Sequence, residues 1–148
     1  MEIYVLPKAL SNIDFVQMDV VTSPEQPEYR DAFDYITAFD AIHDQTRPLE
    51  ALGAVYRLLR PGGLFSMVDI AAGSRLTDNK DHPMGPFLYT VSLMHCMPVG
   101  LDEGGAGLGM MWGKQLAVEM LNAAGFRDVQ VLEIQDDAFN LHFLGRKI

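Results

Sequence analysis

A single cysteine, Cys96, stands among 148 residues. No internal disulfide framework can form, which suits a reducing compartment, and the cytoplasm is the expected location. No apolar run reaches the roughly 18 residues that a membrane span requires. The longest such stretch, Phe87 to Val99, is broken by Thr90, Ser92 and His95. Positive charge is scarce as well. Eleven Lys and Arg stand against twenty Asp and Glu, a net charge of -9, and only Arg146 and Lys147 are adjacent bases. Without a positive stripe to displace counterions from phosphates, nucleic acid is not an expected partner, and anionic membrane surfaces are disfavoured. The start of the chain, Met1 to Lys8, has neither a basic leader nor a small-residue cleavage site, so no signal or transit peptide is expected. Neither an internal repeat nor a linker-like stretch divides the chain.

What is present fits one globular domain, 1–148, with 49% hydrophobic residues. Short β-rich runs alternate with helical patterns, which predicts an α/β fold, a sheet covered by helices. Strands are expected over Ile13 to Met18, Phe33 to Phe39 and Leu64 to Ile70, the last apolar apart from Ser66 and Asp69. A helix should begin near Pro48, capped by Asp44 or Thr46, with Leu49, Leu52, Tyr56 and Leu59 on one face. Pro61-Gly62-Gly63 should stop it. Ala72 to Pro86 reads as loop, Phe87 to Met97 as an apolar helix, and Trp112 to Ala124 as a helix closed by Gly125. Asp128 to Ile134 and Phe139 to Gly145, separated by a short turn, predict an antiparallel pair.

Several segments, in this order, resemble the C-terminal two-thirds of a class I S-adenosylmethionine-dependent methyltransferase. Asn12-Ile13-Asp14-Phe15-Val16-Gln17-Met18-Asp19-Val20 is similar to that family's third strand and its terminal acid. Phe33 to Asp44 resembles the fourth strand and its loop, and Leu58-Leu59-Arg60-Pro61-Gly62-Gly63-Leu64-Phe65 the entry to the fifth. Ala124-Gly125-Phe126 with Val129 resembles the entry to the sixth, and the loop through Gly107-Leu108-Gly109-Met110-Met111-Trp112-Gly113 a small-molecule subgroup. The resemblance implies an incomplete doubly wound, Rossmann-like sheet, mostly parallel, ending in an antiparallel hairpin. The family's glycine-rich loop should precede Asn12, yet the eleven residues there hold no glycine. A truncated domain is therefore expected, with impaired cofactor binding and an open sheet edge through which the chain could form a homo-oligomer.

The resemblance also implies S-adenosylmethionine as cofactor and a small molecule as methyl acceptor. Met18, Asp19 and Val20 would meet the adenine, where an ionised Asp accepts from the exocyclic amine. Phe39, Asp40, Ala41 and His43 would flank the methionine end, where a sulfonium gains from carboxylates and aromatic faces. Residues 87–112 would shape the acceptor pocket. His43 and His95 are the candidate proton acceptors, being groups that titrate near neutrality. No metal site is expected, because His95 and Cys96 are adjacent and no C-x-x-C or H-x-x-x-H spacing occurs. Two rival readings are a non-catalytic interaction module using the open sheet edge, and a nucleotide-dependent oxidoreductase, which needs a glycine fingerprint absent here.

Overall fold

The structure, a computed structural model, describes residues 12–148. One sheet holds β1 (Phe33–Phe39), β2 (Leu59–Ile70), β3 (Arg127–Ile134) and β4 (Asp137–Arg146), in the spatial order β1-β2-β4-β3. The α/β class stands, but the expected parallel majority is corrected. Only β1 and β2 run parallel, while β4 runs antiparallel to both β2 and β3. The cause is local. A parallel pair requires a long crossover, which helix α1 (Pro48–Leu58) provides between β1 and β2. The two-residue turn Gln135-Asp136 instead folds β4 straight back, between β3 and β2.

The expected strand over Ile13 to Met18 is also corrected. This segment joins no ladder, and Ile13, Phe15 and Val16 are exposed. A strand exists only where a neighbour takes its amides and carbonyls. Among the described residues, β1 has β2 on one side and an open edge on the other. Tyr35 and Phe39 consequently lie in solvent.

Helix α1 needs no side-chain cap. Arg47 occupies the capping position without such a bond, and Pro48 at the first turn has no N–H to satisfy, so neither Asp44 nor Thr46 serves as cap. Its inward face is Ala51, Leu52, Val55 and Leu58, whereas Leu49 is exposed. Leu59 is not helical: it takes extended backbone and opens β2. That strand thus starts five residues before Leu64, and the excess around Gly62 is absorbed by a shift in register between Phe33–Leu59 and Tyr35–Leu64.

Helix α4 (Lys114–Ala124) begins two residues later than expected and ends, as expected, on Gly125 in the left-handed region. Together α1 and α4 cover one sheet face. Leu52, Val55, Phe65, Met67, Leu121, Phe126 and Phe143 form the core there. Phe126 stacks on Phe65 at 5.4 Å and meets Tyr56 edge-on at 5.3 Å. Each such side chain contributes about 1.5–3 kcal/mol by leaving water.

The segment read as loop over Ala72 to Pro86 holds a 3-10 turn at Leu76–Asn79 and the start of α2 (Gly85–Val91). The helix expected over Phe87 to Met97 is not one regular element. Helix α2 widens into a π turn, Ser92–Cys96, and then continues as α3 (Met97–Gly100). Pro98, which has no N–H to return to the preceding turn, sits just beyond the widening. The wide turn places Ser92 and Cys96 inward while Leu93, Met94 and His95 face out. The glycine-rich segment after α3 is a close-packing device. A Cβ on Gly105 would stand 2.3 Å from the Gly100 carbonyl oxygen, and one on Gly113 2.3 Å from the Ser74 nitrogen. No helix among the described residues is long and apolar enough to cross a membrane.

Candidate active site

The tips of β1 and β2 point the same way, and the chain loads that end with charge. β1 closes on Phe39 and Asp40, and Asp40 turns into positive φ at 45°. Its amide still donates to the Val68 carbonyl at 3.0 Å, so the loop leaves the sheet from a fixed point. Three residues on, His43 is buried beneath that loop, 2% exposed. β2 brings up Asp69, fully buried near the end of an otherwise apolar run.

These two side chains meet. The Nδ1–H of His43 donates to Asp69 Oδ1 at 2.8 Å. The same oxygen accepts from the indole Nε1–H of Trp112 at 3.0 Å and from the Ile70 amide at 2.9 Å. Asp69 Oδ2 has no partner among the described residues. With Nδ1 carrying a proton, Nε2 is the basic atom of a neutral His43. It faces Asp44 Oδ1 at 3.5 Å, another buried oxygen without a hydrogen-bond partner. The exposed ring of His95 approaches the other Asp44 oxygen, Oδ2, at 3.8 Å.

Burial alone would push the His43 pKa down. The hydrogen bond to Asp69 and the charge of that carboxylate, followed by the charges of Asp44 and Asp40, outweigh it, and the net direction is upward. Asp40 is also raised: burial leads, the Asp69 charge adds, and His43 opposes. The Cys96 thiol, delivered by the π turn, is pushed up to about 11 by burial and then by the Asp44 carboxylate beside it.

Of the residues singled out from sequence, Asp40 and His43 share this cluster, and His95 reaches its rim through Asp44. Phe39, the last residue of β1, and Ala41, on the loop after it, lie exposed. The segment Met18-Asp19-Val20 lies alongside rather than within it. Asp19 accepts from the Val21 amide at 2.9 Å and pairs with Arg47 at 3.5 Å, at the start of α1. Val20 packs on the core, and the Met18 sulfur accepts from the Gln26 side chain at 3.8 Å.

Asp69 was not singled out as a site residue, although a lone acid in an apolar strand was its signal. Trp112, at the end of the segment expected to shape the acceptor pocket, reaches Asp69 across 43 positions of sequence. His82 and His142 stand elsewhere, bonded to the Ala71 carbonyl and to Ser66.

At its outer side the cluster presents features that suit a cation. Asp40 and the open face of Phe39 offer the negative charge and aromatic surface that a cation prefers.

A family model described as a methyltransferase domain matches residues 7–125. No curated protein matches. Among solved structures, an O-methyltransferase family protein from Burkholderia thailandensis superposes with a TM-score of 0.64 at 16% identity, over 93% of this chain and 36% of that one. PigF, solved with S-adenosylhomocysteine, gives 0.62 at 22% identity, over 88% of this chain and 34% of that one. Human N-acetylserotonin methyltransferase in complex with S-adenosylmethionine gives 0.62 at 20% identity, over 93% and 34%. The chain spans about a third of the length of these structures.

Proposed function

The chain belongs to the methyltransferase-domain family, of the class I S-adenosylmethionine-dependent type, and we propose that the protein carrying it transfers a methyl group to a small-molecule acceptor with an ionisable hydroxyl or amine. The observation that carries this reading is the buried Asp69–His43 pair at the tips of the parallel strands. Methyl transfer needs little from side chains beyond placement, unless the acceptor must lose a proton. A histidine held by a buried carboxylate, with its second nitrogen free, is what that loss requires.

When bound, S-adenosylmethionine supplies an electrophilic methyl group. Asp19 and the backbone at Val20, with Met18 beside them, would hold the adenine. Phe39, Asp40 and Ala41 would border the sulfonium. In the chain's own part of the reaction, Nε2 of His43 takes the acceptor's proton while Nδ1–H stays with Asp69, whose charge stabilises the imidazolium that forms. Trp112 fixes Asp69, and His95 stands at the rim where an acceptor enters. The upward direction of the His43 pKa supports the pairing of charge with that role.

By itself the chain is expected to hold the cofactor weakly, because Asp19 sits on a segment with no ladder and is about half exposed. The test is transfer of an isotope-labelled methyl from S-adenosylmethionine to phenols and amines by the protein carrying this chain. His43→Gln should reduce kcat at least about a hundredfold while leaving the affinity for S-adenosylhomocysteine within a few-fold. No transfer to any such acceptor, or full activity in His43→Gln, would overturn the reading. A second reading, an interaction module in which the open edge of β1 pairs with another strand or a second copy, is supported by the exposure of Tyr35 and Phe39. Concentration-dependent association on size exclusion that is lost in Tyr35→Lys would favour it.

A further inference from the structure

The side of His43 that turns away from Asp69 holds three donor atoms from two separate parts of the chain. One ligand atom from each of His43, Asp44 and Cys96 lies within 4.8 Å of the other two, and His43 Nε2 stands 3.5 Å from Asp44 Oδ1. The first two come from the loop after β1, and the third from the π turn. We propose that His43 Nε2, Asp44 Oδ1 and Cys96 Sγ form a site for a zinc-class divalent cation, with His95 as a fourth ligand that swings in from the rim. The proposal departs from the expectation, drawn from spacing alone, of no metal site.

Four observations converge on it. With the proton of the neutral ring on Nδ1, fixed by Asp69, Nε2 offers a lone pair, and Asp44 Oδ1, another acceptor, stands 3.5 Å from it. Two acceptors facing each other in a buried place call for a cation between them, which is a proton on Nε2 or a metal ion in its stead. The buried Asp44 oxygen is without a hydrogen-bond partner. Around a tetrahedral ion with bonds of about 2.0–2.3 Å, donor atoms stand roughly 3.3–3.7 Å apart, and His43 Nε2 to Asp44 Oδ1 is 3.5 Å. Finally, a carboxylate behind the metal-binding histidine is the usual outer support of such sites, and Asp69 occupies that place.

The donor set of imidazole, carboxylate and thiol favours zinc or cobalt over calcium or magnesium, which prefer all-oxygen shells. A second trio, Asp40, His43 and Asp69, also lies close together. It is the poorer site, since the His43 nitrogen that faces Asp69 is Nδ1, whose proton Asp69 already accepts, and the trio holds no thiol.

Binding breaks the Cys96 S–H bond and forms a metal–sulfur bond, and the displaced proton passes to solvent. No electron is transferred. If the methyl-transfer reading also holds, an ion on Nε2 occupies the atom that accepts the acceptor's proton, and the metal is then an inhibitor of that step. The site itself does not rest on that reading.

Titrating the full chain with cobalt(II) tests the proposal without cofactor or acceptor. The expected result is one ion per chain, a near-ultraviolet thiolate-to-cobalt charge-transfer band, and release of a proton to an indicator. Cys96→Ser should abolish the band and weaken binding at least about tenfold. Asp44→Asn, which keeps the thiol, should keep a band but weaken binding by a similar factor. Circular dichroism confirms the fold of each variant. No cobalt binding, binding without the band, or unchanged affinity in folded Cys96→Ser would each overturn the proposal. A cobalt band on titration together with no methyl transfer by the metal-free protein would overturn only the methyl-transfer reading.

Discussion

The two ends of β2 each bury a charged group, and they treat it in opposite ways. At the start of the strand, Lys147 donates to Asp31 and to the Leu59 carbonyl, both at 2.6 Å, and lies 4.9 Å over the ring of Tyr56. At the far end, Asp69 and His43 share one short bond but leave Asp69 Oδ2 and the neighbouring Asp44 Oδ1 without partners. The first arrangement satisfies a cation and clamps the C-terminal strand to the sheet. The second concentrates acceptors and one basic nitrogen where a loop, a strand and a π turn converge. A structural ion pair gains by closing every valence, whereas a site for chemistry must keep some open.

Removing each charge sharpens that contrast. Asp69→Leu leaves the His43 Nδ1–H, the Trp112 indole N–H and the Ile70 amide without an acceptor, and should cost about 3–5 kcal/mol of stability in urea unfolding. A loss below about 1 kcal/mol would show that the far end is no buried polar network.

Lys147→Met should cost less, about 1–3 kcal/mol, because the Leu59 carbonyl loses its donor while the half-exposed Asp31 returns to water. The same melts check it. At this end the loss should leave S-adenosylhomocysteine affinity, where measurable, unchanged.

A milder change separates charge from packing. In the folded chain His43 should titrate above its ordinary 6.5, followed by NMR of its ring. Asp69→Asn keeps an acceptor but removes the charge, so the midpoint should fall. The linkage has a definite sign. A histidine raised by folding adds stability that is complete below about 6.5 and is lost as pH rises through the folded value. Urea midpoints should therefore decline over that window in the native chain, and less so in Asp69→Asn. The smallest effect is expected at Asp19→Asn, where an exposed pair with Arg47 is worth at most about 1 kcal/mol.

Much of this architecture was legible because it is written in local rules. β1 was read with its observed bounds from a dense run of β-branched and aromatic residues, and the closing hairpin from its short turn. Gly125 announced the end of α4. What failed depended on distant partners. Ile13 to Met18 has the pattern of a strand, but pairing lies beyond pattern. Leu59 has a helical spacing to Leu52 and Tyr56, yet the pull of Phe33 in the ladder makes it the first residue of β2.

The site divides the same way. His43 and Asp40 follow a strand, a position that flags them in any doubly wound sheet. Asp69 joins them only because β2 lies beside β1, and Cys96 only because a π turn adds one residue to a helix. No spacing in the chain reports either event.

The most direct trial of the account is the pH dependence of methyl transfer by the protein carrying this chain, native against Asp69→Asn. The proposal predicts a rate that rises with pH through a midpoint above 6.5. In Asp69→Asn that limb should move to lower pH and the plateau should drop. A native profile flat across neutrality, or one that Asp69→Asn leaves in place, would contradict a proton-accepting His43 held by Asp69.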